Sequence, residues 1–128
     1  MKKILIIEDE KGMQEIYRDM FNDEKDKFTF EIVSSGEKGL DRVREKGYDL
    51  IILDIIMEPM TGDSFFVHMR SDAEMADLPV LVVSVISPEL LARMKRIEHI
   101  SFLQKPITKE QLFAEINRVL RGGVERGR

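Results

Sequence analysis

The 128-residue sequence has no cysteine and no apolar run long enough to span a membrane. Without cysteine there is no disulfide framework, no thiolate metal site and no cysteine nucleophile. The longest apolar stretches, such as 50–53 and 78–83, have the length of a strand and fall far short of the ~20 residues that a membrane span needs. The basic start leads into apolar residues that Glu8 cuts short, which is unlike a signal peptide. We therefore expect a soluble, cytoplasmic protein.

A large excess of either charge is also lacking. Twenty basic and 24 acidic residues give a net charge of -4, which weakly repels phosphate backbones and anionic membranes. Direct binding to nucleic acid or to a membrane is therefore not expected. The length suits one domain, which at this size buries a core without a metal or disulfide. With 43% hydrophobic and 34% charged residues, the chain is predicted to be globular.

Five short apolar runs alternate with five helical patterns. The runs, rich in Ile, Val, Leu and Phe, are 4–7, 28–33, 50–53, 80–83 and 100–103. Between them, apolar residues recur at helical spacing, as at Met13, Ile16 and Tyr17, and the last pattern begins with Thr108 and Gln111 at the spacing of a capping box. Strands that alternate with helices predict an α/β fold, a single doubly wound sheet of five parallel strands with helices on both faces.

Carboxylates follow two of the predicted strands. Glu8, Asp9 and Glu10 come directly after the first, and Asp54 comes after the third. Ligands of such sheets bind outside the carboxyl ends of the strands, and these two strands are neighbours if the order is 2-1-3-4-5. Clustered carboxylates repel one another unless a cation intervenes. Two or three oxygen ligands without His or Cys favour Mg²⁺, so the sequence predicts a magnesium site.

Two further polar residues follow neighbouring strands. Ser84 ends the fourth apolar run and supplies a hydroxyl donor, and Lys105 after the fifth supplies a positive charge. Together with a metal they would neutralise the charge that develops during phosphoryl transfer. Asp54 is the candidate nucleophile, because a carboxylate that attacks phosphorus forms an acyl phosphate and needs no general base.

The motifs around these residues resemble the receiver domain of two-component response regulators. They are 6–10 (IIEDE), 53–57 (LDIIM) with Gly62, 79–84 (PVLVVS) and 102–106 (FLQKP). Their order and their separations, 45, 30 and 21 residues between Asp9, Asp54, Ser84 and Lys105, make the combination specific. The resemblance covers residues 2–120 and implies a flavodoxin-like receiver fold with strand order 2-1-3-4-5 and five helices. We expect a receiver domain over 1–121, with 122–128 as a flexible tail or the start of a linker.

The resemblance implies a role for each matching residue at the acidic end of the site. Asp54 would be phosphorylated by a partner histidine kinase or phosphotransfer protein. Asp9 would bind Mg²⁺ directly and Glu8 through water, with Asp54 itself and the backbone carbonyl of Ile56 completing the ligands that the protein supplies.

The resemblance also implies how phosphorylation would be sensed. Ser84 and Lys105 would bind the phosphoryl oxygens, and Phe102 would be an aromatic switch coupled to Ser84. A cis peptide is expected at Lys105-Pro106. The fourth helix, fifth strand and fifth helix would signal to a downstream protein target or output domain. Such a chain is a signalling phosphoacceptor and not an enzyme, since it catalyses only its own phosphorylation and dephosphorylation.

Other functions stay open from the sequence. A phosphatase or phosphotransferase of another doubly wound family would usually carry Asp-x-Asp after the first strand. A flavodoxin relative would need a phosphate loop there, which an acidic triplet would repel. A receiver fold could also act only as a phosphorylation-independent interaction module. Receivers of that kind usually lose the acidic pair, the acceptor aspartate or the lysine, and all of these are present here. The chain could be a freestanding regulator, a phosphorelay intermediate or a fragment of a longer regulator.

Overall fold

The computed structural model describes residues 1–45, 47–54, 67–72, 77–85, 87–89, 92 and 99–121. The five strands are β1 (Lys2–Ile7), β2 (Phe28–Val33), β3 (Leu50–Leu53), β4 (Val80–Ser84) and β5 (Ile100–Gln104). Helices α1 (Lys11–Asn22) and α2 (Gly36–Glu45) follow β1 and β2, and α3 (Lys109–Leu120) follows β5. Residues 67–70, 88–89 and 92 are helical as well and belong to the third and fourth predicted helices. The fifth predicted helix is α3.

The strand order is β2-β1-β3-β4-β5, and every neighbouring pair is parallel, as predicted. The chain moves outward from β1 to β2 and then returns to the other side of β1, so the order reverses between β1 and β3. The last aligned pair of these two strands is Ile7 with Leu53, and the Asp54 N–H donates to the Ile7 carbonyl at 3.2 Å. Glu8 and Asp54 therefore leave the sheet side by side at its switch point.

The central strands are buried on both faces, which explains their continuous apolar sequences. On one face, here called the α1 face, seven buried strand residues pack against α1 and α3: Ile4, Ile6, Phe28, Leu50, Ile52, Leu81 and Val83. On the opposite face, here called the α2 face, the alternate strand residues pack against α2 and Met69. Because side chains alternate along a strand, Glu8 and Asp54 continue the α1 face beyond the strand ends.

The helices form where the sequence pattern places them. In α3, the Thr108 side chain accepts from the Gln111 N–H, and the Gln111 side chain accepts from the Thr108 N–H, which is the predicted capping box. In α1, Met13 and Tyr17 are buried, but Ile16 is 45% exposed although it belongs to the predicted apolar stripe. None of the helices in the described part of the chain has the length and apolar composition of a membrane span.

Candidate functional site

Three carboxylates meet at the switch point of the sheet. Glu8 and Asp9 leave β1 and Asp54 leaves β3, and one oxygen of each lies within 4.8 Å of the others. Glu8 is only 1% exposed, Asp54 is buried, and Asp9 is open to solvent. The structure thus brings together the three acidic residues that the sequence predicts. Glu8 and Asp54 form the buried edge of the cluster, and Asp9 forms its solvent-accessible edge.

Lys105 provides the positive charge of the cluster. Its Nζ donates to Asp54 Oδ2 at 3.0 Å and to Glu8 Oε1 at 3.2 Å. Burial lowers the pKa of Lys105, but its hydrogen bonds and the charges of both carboxylates outweigh burial, so the pKa lies above its usual value. Lys105 is therefore a permanent cation at neutral pH.

Glu8 experiences the opposite balance. Burial raises the pKa of its carboxyl, and the nearby Lys105 lowers it only in part, so that the net direction is upward. The Glu10 N–H donates to Glu8 Oε2 at 3.2 Å and also favours the ionised form. Ionised Glu8 is thus held in the site at a cost in free energy, and an additional cation would reduce that cost.

Ser84 approaches the other oxygen of Asp54. Its hydroxyl donates to Asp54 Oδ1 at 2.7 Å, while Lys105 binds Oδ2. The Lys105 N–H also donates to the Ser84 carbonyl at 3.1 Å, which ties the end of β4 to the residue after β5. A donor therefore contacts each oxygen of the candidate nucleophile.

The remaining predicted residues have different outcomes. Phe102 lies in β5 opposite Val82 and is half-buried against the α2 face. Because side chains alternate along β4, Ser84 belongs to the same face as Val82. The Lys105-Pro106 peptide is cis, as expected. Ile56, whose carbonyl is a predicted metal ligand, lies outside the described residues.

Two residues of α1 beside the site were not identified from the sequence. Gln14 Nε2 donates to the Glu8 carbonyl at 2.7 Å and so holds the turn between β1 and α1. Tyr17, which the sequence places only in an apolar stripe, is buried on the side of the sheet that Glu8 and Asp54 extend. The signal available in the sequence was the alternation along β1 and β3, which points both carboxylates towards α1.

The donor set fits Mg²⁺. The three clustered ligands are all carboxylates, and hard oxygen ligands select hard cations over softer transition metals. Lys105 neutralises one charge of the cluster, so that a net negative charge remains when all three carboxylates are ionised. Asp9 lies at the exposed edge, where an ion can enter and keep water ligands.

A protein-family comparison matches residues 4–117 to the response regulator receiver domain. Among curated proteins, the chain is 32% identical over 115 residues to the probable C4-dicarboxylate response regulator DctR of Halalkalibacterium halodurans, covering 89% of this chain and 49% of that protein. It is 27% identical to hybrid signal transduction histidine kinase D of Dictyostelium discoideum, over 88% of this chain and 7% of that protein. Protein PilH of Pseudomonas aeruginosa is 29% identical and is covered completely. The chain thus spans at most about half of the first two relatives.

Solved structures show the same fold. The chemotaxis protein CheY4 of Vibrio cholerae superposes with a TM-score of 0.83 at 26% identity, covering 94% of this chain and 99% of that one. The receiver domain of sensor histidine kinase PA1611 from Pseudomonas aeruginosa, with a magnesium ion coordinated in its active site cleft, has a TM-score of 0.84 at 17% identity and covers 94% of this chain and 98% of that one. The chain belongs to the response regulator receiver domain family, and its Glu8, Asp9 and Asp54 cluster fits the family's phosphorylation site.

Proposed function

We propose that this chain accepts a phosphoryl group on Asp54 from a histidine kinase or a phosphotransfer protein, with Mg²⁺, and passes the signal to a protein partner. The observation that carries the proposal is the arrangement around Asp54. Ser84 donates to one of its oxygens, Lys105 donates to the other, and two more carboxylates lie within 4.8 Å.

In the proposed transfer, an Asp54 oxygen attacks the phosphorus of a phosphohistidine. The new P–O bond forms as the P–N bond breaks, and the bonding electron pair returns to the imidazole, which leaves an acyl phosphate on Asp54. An ionised carboxylate has no proton to lose, so no general base is required. Lys105 and Ser84 then neutralise negative charge on the phosphoryl oxygens.

The metal ligands in this proposal are Glu8, Asp9, Asp54 and the carbonyl of Ile56. When bound, Mg²⁺ supplies positive charge to the transferring phosphoryl oxygens. Asp9 holds the exposed edge of the site, and buried Glu8 is fixed through its carbonyl by Gln14. The same residues would serve phosphorylation and hydrolysis, so the only reactions assigned to the chain are those of its own Asp54.

The signal would leave through β5 and α3, together with the fourth predicted helix. Ser84 lies opposite Gln104 in the β4–β5 register, and Phe102 lies two positions before Gln104 and packs on the α2 face. A phosphoryl group that pulls on the Ser84 hydroxyl would therefore act on the strand that carries Phe102. We assign the receiver to residues 1–121 and residues 122–128 to a flexible tail or the start of a linker, and the signal would be received by a downstream protein target or an output domain.

A groove beside the site is the proposed contact for the phosphodonor protein. Its volume is about 300 Å³, and it is lined by Met13, Ile16, Val85, Lys105, Pro106 and Ile107. Ile16 and Val85 are exposed although they are large and apolar, which is typical of a contact surface. Because Lys105 belongs both to the groove and to the site, a protein seated there would bring its phosphohistidine close to Asp54.

Intact mass after incubation with acetyl phosphate tests this function. The wild-type chain should gain one phosphoryl group only when Mg²⁺ is present, and Asp54→Asn should gain none. If the wild-type chain forms neither this adduct nor a beryllofluoride complex, the phosphoacceptor proposal is wrong. The chain would then be a phosphorylation-independent interaction module with a receiver fold.

A further inference from the structure

Gln14 holds the chain on both sides of Asp9, the exposed carboxylate of the acidic cluster. The side-chain Nε2 of Gln14 donates to the Glu8 carbonyl at 2.7 Å, and its backbone N–H donates to the Glu10 carbonyl at 3.0 Å. Asp9 lies between these two acceptor residues in the sequence. One residue of α1 therefore fixes the carbonyl groups of both neighbours of Asp9.

Glu8 is a firm anchor for the side-chain contact of Gln14. The Glu8 N–H donates to the Val33 carbonyl at the end of β2 at 3.0 Å, and its carboxylate accepts from Lys105 at 3.2 Å, so that Glu8 is fixed to the sheet. Helix α1 is fixed to the core by its own buried side chains. Gln14 joins these two fixed parts, and the turn that carries Asp9 runs between them.

The start of α1 differs from the start of α3 in its capping contacts. In α3, Thr108 and Gln111 form a capping box. In the described turn before α1, the N-cap residue is Glu10, and its side chain forms no capping hydrogen bond. The side-chain bond of Gln14 is therefore a contact that ties the start of α1 to the end of β1, in a turn that lacks the usual cap.

We propose that Gln14 is a positioning residue for metal binding, which holds Asp9 in place before Mg²⁺ binds. This inference rests on the proposed function, in which Asp9 is a ligand of the ion. A ligand that is already ordered loses little conformational entropy when the ion binds. Without the side-chain bond of Gln14, part of the binding energy would be used to order the turn, and the affinity for Mg²⁺ would be lower.

Calorimetric titration of the full chain with Mg²⁺ tests the proposal. Gln14→Met keeps the length and the helix propensity of the side chain but removes the donor. It should bind Mg²⁺ about fivefold more weakly, the effect of one hydrogen bond of ordinary strength. Gln14→Ala, which also lacks the donor, should give the same direction of change, so that the result does not depend on how the methionine packs.

The matched control is Gln111→Met. Gln111 is also a glutamine in the first turn of a helix, and its side chain accepts from the Thr108 N–H at 2.9 Å. The substitution removes a contact at the start of a helix without changing the turn that carries Asp9. Urea unfolding without Mg²⁺ should show a loss of stability in Gln14→Met and in Gln111→Met, whereas the Mg²⁺ affinity of Gln111→Met should equal that of the wild type.

Amide hydrogen exchange gives a second readout, because it reports on the turn itself. The Glu10 N–H donates to Glu8 Oε2 at 3.2 Å, so its exchange rate measures how often the turn opens. Without Mg²⁺ this N–H should exchange about fivefold faster in Gln14→Met than in the wild type, since one hydrogen bond that closes the turn is lost. Saturating Mg²⁺ should remove most of the difference, because the bound ion then orders the turn in both proteins.

The outcomes separate this inference from the function on which it rests. If Gln14→Met binds Mg²⁺ as tightly as the wild type, or if Gln111→Met loses as much affinity, Gln14 only stabilises the helix and the inference is wrong, while the proposed function stands. An exchange rate of the Glu10 N–H that is equal in Gln14→Met and in the wild type has the same meaning. Absence of Mg²⁺ binding by the folded wild-type chain overturns both.

Discussion

Two lysines four residues apart form similar ion pairs in different surroundings. Lys105 binds Asp54 at 3.0 Å and Glu8 at 3.2 Å, and Lys109 binds Asp23 at 3.0 Å and Glu24 at 3.7 Å. The Lys105 side chain is 19% exposed and that of Lys109 is 34% exposed. The carboxylates that they bind differ more in exposure than the two lysines do. Glu8 and Asp54 are buried, whereas the side chain of Asp23 is 70% exposed and that of Glu24 is 23% exposed.

Distances alone do not distinguish these two clusters. The pairs of Lys109 join the turn that follows α1 to the start of α3, and because water reaches Asp23 and screens its charge, they contribute little else. Around Lys105 the two carboxylates, Glu8 and Asp54, are desolvated, so that each charge acts strongly on the others. Such carboxylates need a positive charge beside them to stay ionised. The comparison shows that an ion pair alone does not indicate a reactive site. What distinguishes the site is that its carboxylates are buried at the carboxyl ends of the strands.

The largest expected effect separates the two lysines. Lys105→Ala should slow phosphorylation of Asp54 by acetyl phosphate about 100-fold, because one preorganised charge on the phosphoryl oxygens is lost. Lys109→Ala should leave the rate unchanged. Intact mass recorded over time, with Mg²⁺ at saturation, measures both rates. Equal rates for the two variants would show that the contacts of Lys105 have no role in transfer.

The second effect compares two neighbours in the acidic triplet. Mg²⁺ at about 100 times its Kd should add about 2.7 kcal/mol to the free energy of unfolding of the wild type, because the ion binds the folded chain. Asp9→Asn should lose this stabilisation, since Asp9 belongs to the cluster. Glu10→Gln should keep it. Thermal unfolding with and without Mg²⁺ checks the pair, and a loss in both variants would indicate diffuse charge attraction in place of a defined site.

The third effect compares two exposed apolar side chains. Ile16 is 45% exposed in the groove beside Lys105, and Val67 is 69% exposed elsewhere. Ile16→Ser should slow transfer from a phosphorylated histidine kinase about tenfold, as loss of one apolar contact in an interface does. Val67→Ser should not. Both variants should react normally with acetyl phosphate, and a kinase that ignores Ile16→Ser would place the phosphodonor contact elsewhere.

Most of the fold could be predicted from the sequence, because the spacing of apolar residues determines the helices and strands, and their alternation determines a parallel sheet. The runs 28–33 and 50–53 coincide with β2 and β3, and 80–83 and 100–103 each fall one residue short of their strands. Parallel strands end at one edge, so the residues after them had to meet there. That argument brings Glu8, Asp9, Asp54, Ser84 and Lys105 together without any knowledge of side-chain conformation.

The individual contacts of long side chains could not be predicted from the sequence in the same way. Periodicity placed Ile16 in the stripe of α1, but the helix buries positions 13, 17 and 21 at a spacing of four, and Ile16 falls at the edge of that narrower stripe. Nothing in the pattern shows that Gln14 reaches back to the Glu8 carbonyl, or that Lys105 divides its contacts between two carboxylates. Such contacts depend on rotamers and on the depth of burial, which a one-dimensional pattern does not contain.

The smallest effect tests what burial does to a glutamate. Burial raises the pKa of Glu8, so between the ordinary glutamate value of 4.5 and the raised value the folded chain binds more protons than the unfolded chain. Without Mg²⁺, stability therefore decreases as the pH rises through this interval, and the loss is complete once the pH exceeds the raised pKa. Glu8→Gln, which mimics the protonated carboxyl, should gain about 0.5 kcal/mol at pH 7, a small amount because the ion pair with Lys105, which the substitution also removes, offsets most of the cost of burying the charge.

The matched control is Glu24→Gln, which removes a partner of Lys109 and should give no gain at pH 7. Urea unfolding between pH 4 and pH 8, with a chelator present, measures both variants. Saturating Mg²⁺ should reverse the order of the wild type and Glu8→Gln, because the ion stabilises only a cluster that keeps its charge. If Glu8→Gln is less stable than the wild type at pH 7 without Mg²⁺, the pair with Lys105 outweighs desolvation, and the two lysines differ in degree only.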